Sequence, residues 1–134
     1  MTTYMLDSNT LSAIMERQPR ALSRLDMALE SDWVIICPVV RGEILFGLER
    51  MPPGQKRRAA EAEASAAFGF VECVSLPEHA ADIYARIKRD AEINGTTQGE
   101  NDLWIAAVAV ETGSRLLSDD SHFDVIPGVF RLNG

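Results

Sequence analysis

Cysteine is scarce in this chain, with two residues in 134, which excludes a disulfide-stapled scaffold. Cys37 and Cys73 each close or sit within an apolar run, so both are expected as buried free thiols of a reduced compartment. Positive charge is also in short supply: 13 basic against 20 acidic side chains leave a net charge of -7. Such a chain has no global basic field to draw it onto nucleic acid, and any phosphate partner must be met locally. Long apolar runs are missing as well. Stretches such as Trp33 to Val40 fall far short of the ~20 residues a spanning helix needs, and no basic region followed by an apolar one opens the sequence. The expectation is a cytoplasmic protein without a membrane anchor. Histidine is limited to His79 and His122, both expected at the surface or in a structural role.

What is present is ordinary globular material, 46% hydrophobic and 25% charged, in a length that suits a single domain over residues 1–134. Short apolar runs at Tyr4 to Leu6, Trp33 to Cys37, Phe70 to Val74, Arg115 to Leu117 and Val129 to Leu132 predict five strands. Helical periodicity fills the gaps: Thr10 to about Leu29, Val39 to Arg50, Gln55 to Phe68, Pro77 to Ile93 and Asp102 to Thr112. Parallel strands need long crossovers, so this alternation predicts an α/β fold, a parallel sheet of about five strands flanked by helices. Pro52-Pro53-Gly54, Asn94-Gly95 and Gly113 supply the stops.

Ligands of open parallel sheets collect beyond the carboxyl ends of the strands, which directs attention to the acids placed there. Asp7 directly follows the first strand and also suits a helix N-cap. Asp119 and Asp120 follow the fourth strand in a Ser-Asp-Asp-Ser segment that is also good turn material. Asp102 opens the small-residue face of its helix, where the helix dipole favours an acid in any case. Glu43 is set apart by projection. With Val40 at zero, Ile44 falls at about 40°, Leu48 at about 80° and Glu43 at about 300°, inside an apolar arc that also takes in Val39, Phe46 and Gly47. A carboxylate there needs a cation or a donor, unless it snorkels out or pairs with Arg41 or Arg50.

Together these acids make a stronger pattern than any one of them. Carboxylates converging in a cleft repel and take up protons unless a divalent cation neutralises them. An all-oxygen set selects Mg²⁺ or Mn²⁺ over zinc, and phosphoryl transfer is the chemistry that uses such a site.

The segments Met5-Leu6-Asp7-Ser8-Asn9, Gly42-Glu43-Ile44, Asn101-Asp102-Leu103-Trp104-Ile105-Ala106-Ala107 and Leu116-Leu117-Ser118-Asp119-Asp120-Ser121-His122-Phe123 occur in order over nearly the whole chain. As a set they resemble PIN-domain nucleases, and more narrowly the VapC-type toxins of toxin-antitoxin pairs. The resemblance implies a metal-dependent endoribonuclease, hydrolysing RNA phosphodiester bonds by metal-activated water to leave a 5'-phosphate and a 3'-hydroxyl. It implies Asp7, Glu43, Asp102 and Asp120 as the catalytic acids holding Mg²⁺ or Mn²⁺, with Glu43 bound directly or through water and Asp119 as the alternate fourth acid. Ser8 and Asn9 match positions that orient the first carboxylate, and Ser118 is a further donor. A central first strand, an antitoxin partner and a homodimer are implied too.

Basic residues at Lys56-Arg57-Arg58 and at Arg86, Lys88 and Arg89 are candidate RNA contacts. Leu11, Ile14, Met15, Leu45 and Phe46 are candidate lining for an antitoxin groove. Two rivals are a phosphoacceptor signalling domain and a catalytically silent PIN scaffold. The first lacks an Asp between Val71 and Leu76 and any Lys beyond Lys88, and the second is at odds with a full set of acids. A phosphatase of the Asp-x-Asp kind meets Asp7-Ser8-Asn9 instead.

Overall fold

Runs such as Met5-Leu6, Val34 to Cys37 and Leu116-Leu117 carry no polar alternation, as strands covered on both faces require. In the computed structural model, which describes residues 2–96 and 98–133, they form the middle of a five-stranded sheet. The strands are β1 (Thr3–Leu6), β2 (Trp33–Ile36), β3 (Glu72–Cys73), β4 (Arg115–Leu117) and β5 (Phe130–Leu132). Six helices flank them: α1 (Ser8–Met15), α2 (Pro19–Ser31), α3 (Pro38–Glu49), α4 (Gln55–Phe70), α5 (Ala80–Asn94) and α6 (Glu100–Thr112). A 3-10 helix, Ser121–Val125, joins β4 to β5.

The strand order is β3-β2-β1-β4-β5 and every pairing is parallel. β1 is therefore central, with Met5 opposite Ile35 on one side and Leu116 on the other, all three fully buried. From β1 the chain moves outward through β2 to β3, then returns to build β4 and β5 on the opposite side. The order reverses at β1, so a crevice forms beyond the carboxyl ends of β1 and β4. Asp7 and Ser118 are the first residues past those two ends.

Several elements depart from the sequence expectation. The single helix expected over residues 10–29 is two, because Arg17 adopts φ 56° and Pro19 opens α2 from an extended Gln18. Proline disfavours helical geometry in the residue before it, so Pro19 marks the break in the sequence. β3 is only two residues long, and both are exposed at the sheet edge, so Cys73 is an exposed thiol and only Cys37 is buried. Burial pushes the Cys37 thiol above its ordinary range. Helix α6 begins two residues early, at Glu100 with Gly99 as its cap, which places Asp102 within its first turn. The expected stops at Gly95 and Gly113 are found, each in the left-handed conformation that glycine adopts without steric cost. Among the described residues no helix is long and apolar enough to cross a membrane.

Candidate active site

The centre of the site is built from β1 and β4. Asp7 follows β1 directly, is buried, and caps α1 by accepting the Thr10 backbone N–H at Oδ1, 2.9 Å away. The capping role and a site role are thus compatible: the cap occupies one carboxylate oxygen. The other, Oδ2, accepts the hydroxyl of Ser118, which is fully buried just past β4. Thr10 adds a second tie, its hydroxyl donating to the Leu117 carbonyl at 2.9 Å, so α1 is fastened across the sheet to β4. Thr10 was not among the residues expected at the site. A β-branched hydroxyl three residues after a capping Asp was the available signal.

The Ser118 hydroxyl also accepts the backbone N–H of Asp120 at 3.0 Å. One buried hydroxyl therefore connects the acid after β1 to the acid after β4. Asp120 caps the 3-10 helix: the His122 N–H donates to its Oδ1 at 2.9 Å, and His122 Nδ1 lies 2.8 Å from the same oxygen. His122 is exposed, as expected, and its ring stands against Asp120 at the edge of the site.

Glu43 is half-buried on α3, beside the buried stripe of Val40, Ile44 and Leu48. That stripe is narrower than the expected arc, since Leu45, Phe46 and Gly47 are exposed. Arg41 and Arg50 do not meet Glu43; their guanidinium groups lie over the rings of Phe68 and Phe46, at 4.3 Å and 5.6 Å. The donor to Glu43 is the Ser8 hydroxyl, 2.5 Å from Oε1. Ser8 thus orients Glu43 and not Asp7, while Asn9 is exposed beside the site.

Asp102 completes the set from α6. Its carboxyl lies above the ordinary carboxylate range, first because it is partly buried and then because of the charges of Asp120, Glu43 and Asp7, in that order, with His122 opposing. Three acids from separate parts of the chain thus act on the carboxyl of a fourth, and the set spans 113 positions, counted from Asp7 to Asp120. Asp119 points to Arg20, 3.9 Å from its NH2, and the acid after β4 that acts on Asp102 most strongly is Asp120.

Among the described residues, no three His, Cys, Asp or Glu side chains are already arranged to hold a metal ion. Asp7, Glu43 and Asp120 are each engaged by donors of the protein, and like charges keep carboxylates apart. The donor set is nonetheless all oxygen and carries surplus negative charge focused on Asp102, which suits a hard divalent cation.

The candidate RNA contacts fare unevenly. Arg57 faces Glu49 and Glu61 and donates to the Met51 carbonyl; Lys88 meets Glu100 at 2.7 Å and Tyr84 at 3.1 Å; Arg89 pairs with Glu92. Lys56, Arg58 and Arg86 remain exposed. Of the candidate groove residues, Leu11 is fully buried in the core, whereas Leu45 and Phe46 stand exposed on α3. Ile14 and Met15 border an apolar groove with Leu22, Leu25 and Phe70, between α1, α2 and α4.

Comparison with known proteins agrees with this architecture. The PIN domain model matches residues 4–129. Ribonuclease VapC2 of Rickettsia felis is 21% identical over 132 residues, covering 97% of this chain and 96% of that protein. Ribonuclease VapC2 of Haemophilus influenzae is 27% identical over 121 residues, covering 90% and 88%. Among solved structures, VapBC2 from Rickettsia felis bound to a DNA fragment from their promoter superposes with a TM-score of 0.92 at 19% identity, covering 99% of both chains. FitAcB from Neisseria gonorrhoeae does so with a TM-score of 0.83 at 24% identity, covering 97% and 96%.

Proposed function

The chain belongs to the PIN-domain family, and from that premise we propose that it is a divalent-cation-dependent endoribonuclease, the toxin of a toxin-antitoxin pair. The observation that carries the reading is that Ser118 links Asp7 to Asp120 while Glu43 and Asp102 line one cleft, with the charges of Asp120, Glu43 and Asp7 raising the Asp102 carboxyl. The naming of its relatives as ribonucleases supports the activity, and the VapBC complexes among its structural neighbours support an antitoxin partner.

Asp7, Asp102 and Asp120 would hold Mg²⁺ or Mn²⁺, with Glu43 joining directly or through water. When bound, such an ion offsets the carboxylate charge, polarises the phosphate and lowers the pKa of bound water. The chain's own residues supply orientation. Ser118 and the Thr10 N–H fix Asp7, so its oxygens cannot rotate away from the crevice. Ser8 fixes Glu43, which would accept the proton of the attacking water. Attack on phosphorus would break the bond to the ribose 3' oxygen, which takes up a proton, leaving a 3'-hydroxyl and a 5'-phosphate. The acidic surface makes unpaired, splayed RNA a better substrate than a duplex held by its backbone. The apolar groove between α1, α2 and α4 is the face assigned to an antitoxin segment.

Incubating the purified protein with single-stranded RNA and Mg²⁺ or Mn²⁺ is expected to give cleavage that chelator abolishes. Asp102→Asn is expected to lower the rate by at least about a hundredfold with the fold retained. Cleavage that persists in chelator, or an Asp102→Asn protein as active as the parent, would refute the assignment.

A further inference from the structure

Beside Asp120, on the outer side of α1, lies a polar cavity of about 550 Å³, within the size range of small-molecule and nucleobase sites. Its lining includes Asn9, Glu16, Gln18, Arg20 and Asp119. Glu16, Asp119 and Asp120 give it more negative than positive charge, so a phosphate is a poor occupant. A neutral heterocycle with donors and acceptors on its edge suits it better. Glu16 accepts from Gln18 Nε2 at 3.1 Å, and Asp120 is engaged by His122. Arg20 and Asp119 stand next to each other: their side chains are 61% and 65% exposed and 3.9 Å apart, which sets a guanidinium beside a carboxylate.

That pairing of a donor fork with an acceptor fork has a specific complement. Guanine presents acceptors at O6 and N7, which arginine bonds bidentately, and donors at N1 and N2, which a carboxylate accepts. Adenine, with a donor at N6 and no donor at N1, satisfies neither residue fully, and uracil and cytosine lack the N7 acceptor. The cavity adjoins the acid that follows β4, so a base seated in it belongs to a nucleotide beside the reacting phosphate.

We propose that this cavity is a guanine-reading site for single-stranded RNA, with Arg20 donating to O6 and N7 and Asp119 accepting from N1–H and the N2 amino group. The proposal rests on the ribonuclease assignment above and gives Asp119 a part in selecting substrate, separate from the four clustered acids.

The test is binding, so that it does not depend on cleavage. Fluorescently labelled five-nucleotide RNAs, differing only in one central guanine, inosine, adenine or uracil, are titrated onto the Asp102→Asn protein. Guanine is expected to bind about tenfold more tightly than adenine, with inosine between them because it lacks the N2 amino group. In an added Asp119→Asn change the guanine–inosine difference should vanish, and in Arg20→Gln the guanine–adenine difference should narrow to what Asp119 alone reads at N1 and N2. Both side chains are mostly exposed, so thermal melting should stay at the parent value. Equal affinity for all four RNAs, no measurable RNA binding, or a guanine preference that survives both changes overturns the proposal. A uniform loss of affinity in both variants does so too, marking backbone contact. In the otherwise unaltered enzyme, Asp119→Asn should keep cleaving RNA and lose only the base preference at the cut; complete loss of cleavage would make Asp119 the fourth acid and overturn the proposal. Failure of the parent to cleave at all, with base-selective binding intact, would instead refute the ribonuclease assignment alone.

Discussion

Ser118 carries more of the site than any other uncharged residue. Its hydroxyl donates to Asp7 and accepts from the Asp120 N–H, and it has no exposure to solvent. Ser118→Ala would strand a buried carboxylate oxygen and a backbone N–H at once, a loss of about 1–3 kcal/mol in stability for each group left unsatisfied. Such orienting partners typically alter metal affinity or activity by about ten- to a hundredfold. The expected outcome is therefore a chemically unfolded midpoint shifted to lower urea and a kcat down by at least about tenfold. Ser118→Thr, which keeps the hydroxyl, should recover part of both; a Ser118→Ala enzyme with parental kcat would show that the hydroxyl orients nothing of consequence. Asp102 makes a different contribution. Its raised carboxyl binds a proton more readily in the folded than in the unfolded chain, so this group favours folding at low pH and loses that effect as pH rises through its folded value. In chelator at neutral pH the carboxylate opposes folding. Asp102→Asn is then expected to melt at a higher temperature than the parent, with the difference closing toward the ordinary aspartate range, as a series of melts across pH would reveal.

Between elements, the segment from β4 to β5 is held at three points. Phe123, in the 3-10 helix, is almost wholly buried, and Asp120 caps that helix. Arg131 on β5 closes the arrangement: its Nε and NH2 donate to the two carboxylate oxygens of Asp124 at 2.7 and 2.9 Å, and its NH1 to the Ser118 carbonyl at 3.0 Å. The guanidinium holds the Asp124 carboxyl below its ordinary range. A depressed carboxyl favours folding above its unfolded value, and that effect fades as pH falls through the folded value. Asp124→Asn should therefore lose little at acid pH, where the parent carboxyl is already protonated, and most at neutral pH. Arg131→Met, which frees the backbone of Ser118 as well, should lower kcat more than Asp124→Asn does. Equal kcat for both variants would argue that the Ser118 carbonyl contact has no bearing on the site.

For the molecule as a whole, a net charge of -7 and four acids acting on one crevice make divalent cation a stabilising ligand in its own right. Mg²⁺ is expected to raise the melting temperature of the parent in a concentration-dependent way and to do so far less for Asp102→Asn. An equal shift in both proteins would mean that the ion binds elsewhere. How much of this was legible in the chain follows from the range of each interaction. Apolar runs and helical periodicity are local, so five strands, the α/β class and the stops at Gly95 and Gly113 could be placed from composition and spacing. The break at Pro19 was written there too, but the periodicity of Leu11 to Leu29 runs smoothly across it and conceals it. Asp7, Glu43, Asp102 and Asp120 were each ambiguous as residues, because every one of them is also good capping, rim or turn material. Only the crossing of the chain over β1 decided which carboxylates act on one another, that Ser8 serves Glu43, that Asp119 turns to Arg20, and that one buried hydroxyl ties Asp7 to the loop after β4. Local pattern is set by neighbours a few residues apart; a hydrogen bond spanning 111 positions exists only once parallel strands have brought its two ends together.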